Sequence, residues 1–189
     1  MYNGLILSGL PGSGKSTLAK RISEIYRWQL LAIGDMFRDE WKRDHPNKDI
    51  SFEEYWRRVS LDKNREVNEQ AKELFKKGNI VAESRYSAIY CKELPILRIF
   101  VYADLETRAE RAVGSSKYPD MSKERIKGIL LQREEDEVRV GRELFDFDYR
   151  SPENYHKILD SVKLGIDQEV EILKKLLNEL RNRSKLRRI

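Results

Sequence analysis

With 189 residues, 40% of them hydrophobic and 37% charged, the chain has the composition of one well-packed α/β domain with small appendages, too short for two full domains. No apolar run approaches the ~18–20 residues needed to cross a bilayer, and the first residues lead straight into a strand pattern, so neither a membrane span nor a secretory leader is expected. The net charge of +5 suits an anionic ligand, while the single cysteine, Cys91, excludes an internal disulfide and points to a reducing, cytoplasmic setting.

The first predicted strand is Gly4–Ser8. It runs into Gly9-Leu10-Pro11-Gly12-Ser13-Gly14-Lys15-Ser16-Thr17, which matches the phosphate-binding pattern G-x-x-x-x-G-K-[ST]. A helix over Lys15–Tyr26 follows, with Leu18, Ile22 and Ile25 on one face. Glycines at these positions let backbone N–H groups turn inward around a phosphate, and the helix that follows points its positive end at the anion. Lys15 then reaches the β- and γ-phosphates, and the Ser16 hydroxyl is placed to bind Mg²⁺. An ordinary glycine turn is the competing reading, but strand, full motif and helix together favour a nucleoside triphosphate.

A short strand is predicted near Gln29–Ile33, then a helix from Asp35 to Asp44, broken by His45-Pro46-Asn47. Arg38, one turn into that helix at a strand's C-terminal edge, can hold a second phosphate. The bland alternative is an i,i+3 salt bridge with Asp35. Ser51-Phe52-Glu53-Glu54 is a capping-box pattern that opens a charged helical region, in one or two pieces, ending at Lys77 before Gly78. Phe52, Tyr55 and Trp56 have helical spacing and read as packing, with base stacking the added role if this region forms a nucleotide pocket.

Ile80-Val81-Ala82 is a buried-type strand ending at Glu83. In Glu83-Ser84-Arg85 the carboxylate can orient Mg²⁺-bound water and the arginine can take a substrate phosphate or base, against the alternative of a simple capping turn. A strand over Ile96–Ala103 leads to a helix that starts at Asp104 and carries Arg108 and Arg111; a polar loop follows at Gly114–Pro119, then a helix over Ser122–Val140 with Arg133 and Arg139, and Arg142 beyond it. Several arginines closing from a mobile segment would spread the charge of a transferring phosphoryl group. A solvated helix face with i,i+4 pairs is the competing reading, and about two of these five arginines are expected to touch ligand. Phe145–Asn154 reads as irregular, His156–Leu159 as the last strand and Asp167–Arg183 as a closing amphipathic helix. The basic run from Arg181 to Arg188 reads as a solvated helix end, with RNA contact the alternative. His45, His156 and Cys91 lack metal-ligand spacing. The chain reads as one compact domain with inserted segments near residues 36–77 and 114–150.

Together these segments resemble the nucleoside monophosphate kinases of the P-loop superfamily, the archaeal-type cytidylate kinases before the adenylate kinases. The likeness spans most of residues 3–165. It rests on Gly9–Thr17, Gly34-Asp35-Met36-Phe37-Arg38, Glu83-x-Arg85, and Arg133-Glu134-Glu135 with Arg139. It implies a three-layer α/β sandwich with a five-stranded parallel sheet, an acceptor-binding segment and a lid, as one kinase domain using ATP and Mg²⁺. By the same likeness Gly9, Pro11, Gly12, Ser13, Gly14, Lys15, Ser16 and Thr17 cradle ATP, helped by Arg108 and Arg111. Ser16 and Glu83 serve the metal. Asp35, Arg38 and Arg85 hold the acceptor, and Lys15, Arg133 and Arg139 act on the transferring group. The acceptor implied is CMP or dCMP; AMP or another small acceptor, or a nucleotide-dependent binding role with weak kinase activity, are the alternatives. Three positions depart from the family pattern: Ser84, where glycine is common; Ile33, where a small or hydroxyl residue is usual; and Arg139-Val140-Gly141-Arg142, where Arg is followed by Tyr. They bear on base recognition rather than on the phosphate machinery.

Overall fold

A computed structural model describes residues 3–47 and 49–186, with the side chains of all of these except Glu53 and residues 179–186. Five strands form one all-parallel sheet in the order β2-β3-β1-β4-β5: β1 Gly4–Gly9, β2 Gln29–Ala32, β3 Ile80–Glu83, β4 Leu97–Tyr102 and β5 Lys157–Asp160. The fold class read from the sequence is therefore the one observed. Every residue of β1 is buried, as expected for the central strand of a parallel sheet covered on both faces.

The two-residue period of the strands divides the core. Leu5, Leu7, Val81, Ile99 and Val101 face one side and pack with Leu18 and Ile22 of α1 (Lys15–Tyr26) and with Val170, Leu173 and Leu177 of the closing helix, α8 (Ile166–Leu186). Ile6, Ala82 and Phe100 face the other side. There they meet Phe37 of α2 (Ile33–Asp44), Val67, Ala71 and Phe75 of α4 (Leu61–Lys77), and Val138 of α7 (Lys123–Phe145). A smaller cluster joins Ala109 and Ala112 of α6 (Leu105–Ala112) to Ile126 and Leu130 of α7, with Tyr118 from the loop between them.

Side-chain caps set the helix starts that the sequence signals. Ser51 accepts from Glu54 N at 3.1 Å at the head of α3 (Phe52–Arg58), and Asp104 accepts from Thr107 N at 2.7 Å. Ser60 and Ser122 do the same for α4 and α7. The charged region after Ser51 is two helices, parted at Val59-Ser60.

The structure differs from the sequence reading most clearly in three helices. α2 begins at Ile33 rather than Asp35, with Gly34 inside the helix. A short α5 (Ser87–Tyr90) carries no helical period and went unseen. α7 runs through Gly141 to Phe145 rather than stopping at Val140. A glycine normally marks a helix end, but here it sits mid-helix because Phe147 O passes 2.7 Å from where its Cβ would be. Residues 36–77 hold most of α2 with α3 and α4, and residues 114–150 hold the loop after α6 with α7. The basic run 181–188 lies in the last turns of α8 and beyond, where its side chains fall outside the described residues. Among the described residues no helix is long and apolar enough to cross a membrane.

Candidate active site

The loop after β1 and the ends of β2 and β3 meet at the C-terminal edge of the sheet, where parallel α/β folds bind their ligands. Gly9 has φ +140°, and a Cβ there would stand 2.2 Å from Val101 O, so only glycine lets β1 turn into the loop. Gly14, with φ 98°, heads α1 without any side-chain cap. The first N–H groups of that helix are thus left for a ligand rather than a cap.

Lys15 is 3% exposed, its Nζ donating to Leu10 O at 2.7 Å and Ser13 Oγ at 3.4 Å. Burial, aided by the nearby Arg85 charge, lowers its ammonium from the ordinary 10.5 to about 7. The Ser16 hydroxyl donates to Glu83 Oε2 at 2.6 Å. Burial opposes ionisation of that carboxyl, but Lys15, the Ser16 hydroxyl and Arg85 outweigh it and hold Glu83 below the usual carboxylate range. Ser16 and Glu83 thereby supply two hard oxygen donors side by side at the head of α1, a set that fits Mg²⁺, which takes one or two protein oxygens and keeps water and phosphate for the rest.

The cleft around this loop is lined by Pro11, Gly12, Gly14, Lys15, Ser16 and Thr17 on one side and by Asp35, Arg38, Glu83, Arg85, Arg111 and Arg133 on the other. Arg38 makes the i,i+3 pair with Asp35 at 2.9 Å, yet its guanidinium also lies over the Phe52 ring, 4.8 Å from the centroid, at the cleft wall. The ion pair read from the sequence is thus formed, and the same side chain stands at the cleft. Arg111 donates to Ser13 O at 3.2 Å and Ser161 O at 2.7 Å, bracing the phosphate loop from below.

Two expected residues are not brought to the cleft. Arg108 is 3% exposed and spends its guanidinium on Pro11 O and Glu134 Oε2, behind the loop rather than in front of it. Arg139 is half exposed and pairs with Glu143 at 3.2 Å. It lies six residues beyond Arg133 on the same helix, about 120° away around the axis, and Arg133, not Arg139, lines the cleft.

The sequence reading missed Glu137. It is 1% exposed and pairs with both Arg85 and Arg133, the latter through Nε at 2.8 Å, while Tyr149 Oη donates to it at 3.3 Å. Its helical register with Arg133, i,i+4, was readable; its meeting with Arg85 was not. Lys117 also enters the cleft from the loop after α6, its ammonium lowered by burial and by Arg38. Beyond Glu83 and Arg85 the cleft narrows into a second cavity of about 30 Å³, walled by Phe37, Phe52, Trp56, Asn64, Asn68 and Glu137. Phe37 and Trp56 meet edge to face at 4.8 Å.

Residues 8–127 match the family model described as the AAA domain. The chain belongs to that family. Its curated relatives include a cytidylate kinase of Methanoregula boonei, 28% identical over 180 residues that span 94% of this chain and 95% of the relative. A cytidylate kinase of Methanocaldococcus jannaschii is 27% identical over 182 residues, spanning 94% of this chain and 98% of the relative. Among solved structures, a gluconokinase from Sinorhizobium meliloti superposes with a TM-score of 0.60 at 16% identity, covering 96% of this chain and 97% of the other. At that identity the likeness concerns the fold alone. The AAA-domain match begins at Ser8, at the end of β1, and spans both the phosphate loop and the Glu83–Arg85 turn.

Proposed function

We propose that the protein transfers the γ-phosphoryl group of ATP to a nucleoside monophosphate, with CMP or dCMP the preferred acceptor, giving the nucleoside diphosphate and ADP. One observation carries this reading. Gly34, Glu83, Arg85 and Arg133 line both the phosphate-loop cleft and the second cavity, so a donor triphosphate and an acceptor phosphate share one wall of cationic groups. The relatives named cytidylate kinase support the same reaction class.

In this scheme the loop N–H groups and Lys15 hold the β- and γ-phosphates. Arg38 and Arg85 hold the acceptor phosphate, and Arg133 neutralises the group in flight. Mg²⁺, when bound at Ser16 and Glu83, draws charge from the phosphate oxygens. An acceptor phosphate oxygen forms the new bond to the γ-phosphorus as the bond to the β,γ-bridging oxygen breaks, and ADP carries away that electron pair. The acceptor is already an anion, so no catalytic base is required. Positioning and charge neutralisation supply the rate. Residues 36–77 serve as the acceptor-binding segment, and the loop after α6, with Lys117, closes as part of a lid over 114–150. A cytoplasmic setting fits the lone thiol of Cys91, which is buried.

The test is ADP release from Mg·ATP against CMP, dCMP, UMP, AMP and GMP. Saturable turnover with a nucleoside monophosphate is expected. Folded, ATP-binding protein that releases no acceptor-dependent ADP would overturn the reading and turn attention to a nucleotide-dependent binding role.

A further inference from the structure

Two orphaned acceptors stand in the second cavity. Asn64 is 2% exposed and Asn68 1% exposed, and both line it from α4. Each amide turns its NH₂ back onto its own helix: Asn64 Nδ2 donates to Ser60 O at 3.2 Å and Asn68 Nδ2 to Asn64 O at 2.7 Å. That back-bond decides which way the amide faces, because reversing it would set oxygen against oxygen. Both Oδ1 atoms are therefore left pointing off the helix, and neither has a hydrogen-bond partner. Buried acceptors without partners are costly, and a leucine would fill either position without that cost.

The two side chains are one helical turn apart, with Cβ atoms roughly 5–6 Å from each other. Two acceptors that each sit about 2.9 Å from one amino nitrogen, along its two N–H directions, lie about 5 Å apart. One turn of helix thus brings both acceptors within reach of a single NH₂ group. The same cavity holds a third unpartnered polar atom, the donor Trp56 Nε1.

We infer that Asn64 and Asn68 read the exocyclic amino group of the acceptor base, selecting cytosine over uracil. This rests on the acceptor reading given above. Cytosine offers both amino hydrogens at C4 and unprotonated acceptors at N3 and O2, which suit the Asn pair and Trp56. Uracil turns an oxygen toward the Asn acceptors and a hydrogen at N3 toward the Trp56 donor, so each contact is reversed. Adenine shares the pattern of cytosine, and guanine at its O6 and N1 shares that of uracil. Arg85 and Arg133, in the wall common to cavity and cleft, lie where the 5′-phosphate of such a base would emerge. At about 30 Å³ the cavity admits a ring only when α3 moves outward.

The experiment compares kcat/KM and calorimetric binding for CMP, UMP and pyrimidin-2-one ribonucleoside monophosphate, which lacks the 4-amino group. On the wild-type protein CMP is expected to exceed both others by at least about 100-fold. Asn64→Leu and Asn68→Leu should each lower CMP use about 10- to 100-fold and raise UMP use, since the acceptor that repels its O4 is gone, with ATP binding unchanged. Equal use of CMP, UMP and the 2-pyrimidinone overturns the inference on the wild-type protein alone, whether or not the variants fold, and leaves the kinase reading standing. A parallel loss on CMP and UMP in the leucine variants overturns it too, reducing the pair to packing. Absence of binding and turnover with every nucleoside monophosphate overturns the acceptor reading itself and the inference with it.

Discussion

The Ser16 hydroxyl and the Glu83 carboxylate meet at 2.6 Å, tying the first turn of α1 to the end of β3. The pair belongs to two segments far apart in the chain, brought together because β1 and β3 are sheet neighbours in register, Leu7 opposite Glu83. Glu83→Gln keeps the size and a hydrogen bond but removes the charge. It is expected to raise the Mg²⁺ concentration required for half-maximal activity about 10- to 100-fold with little change in thermal stability. A Mg²⁺ titration of activity measures this, and an unchanged requirement would remove Glu83 from the metal's surroundings.

Lys15 carries a pH signature. Its ammonium is lowered to about 7 in the folded chain against an ordinary 10.5, so between those values the unfolded chain holds a proton that the folded chain lacks. Stability from this group therefore rises with pH from about 7 to 10.5, and the cost of its buried charge is present in full below about 7. Phosphate binding favours the charged form. At pH 8, ADP binding should take up close to one proton, and at pH 6 almost none, as read by calorimetry in buffers of different ionisation enthalpy. Lys15→Ala should abolish the difference and lower kcat by about 1,000-fold or more while the fold survives. Equal uptake at both pH values would contradict the assignment.

Arg133 and Arg139 separate on the helix axis, and their variants should separate as well. Arg133→Ala is expected to cost about 100- to 1,000-fold in kcat. Arg139→Ala, whose guanidinium is committed to Glu143 outside the cleft, should stay within about two-fold, as surface pairs contribute little. Matched steady-state assays decide it, and a comparable loss in both would mean that α7 turns its other face to the substrate.

The buried Glu137 offsets two partly buried guanidiniums at once. Glu137→Ala leaves Arg85 and Arg133 without their carboxylate and should destabilise the protein by about 3–5 kcal/mol, read as a fall in the urea midpoint. Glu137→Leu should do no better, since the arginine charges remain. Near-wild-type stability in both would show that the arginines find water instead.

Much of the site was legible because it is local. All the groups of the phosphate loop lie between Gly9 and Thr17, and their chemistry follows from residue type and spacing. The helix starts at Ser51, Asp104 and Ser122 were legible for the same reason, each cap being a bond over three residues. What was not legible has a common origin. The helix expected to end near Val140 runs on through Gly141, whose reason for being glycine, the carbonyl of Phe147 folding back against it, is a contact made by the tertiary fold. The resemblance gave Arg108 and Arg139 ligand roles, whereas in the structure their partners Pro11, Glu134 and Glu143 decide where each guanidinium points.

By itself the sequence determined an α/β domain with a triphosphate loop at its first strand, since period, turn chemistry and a contiguous motif are properties of neighbouring residues. Tertiary structure alone decided the strand order, the union of Glu83 with Ser16 and of Glu137 with Arg85, and the turning of Asn64 and Asn68 into one cavity. Those relations join residues from different elements, and their energies exist only once the sheet has set the distances between them.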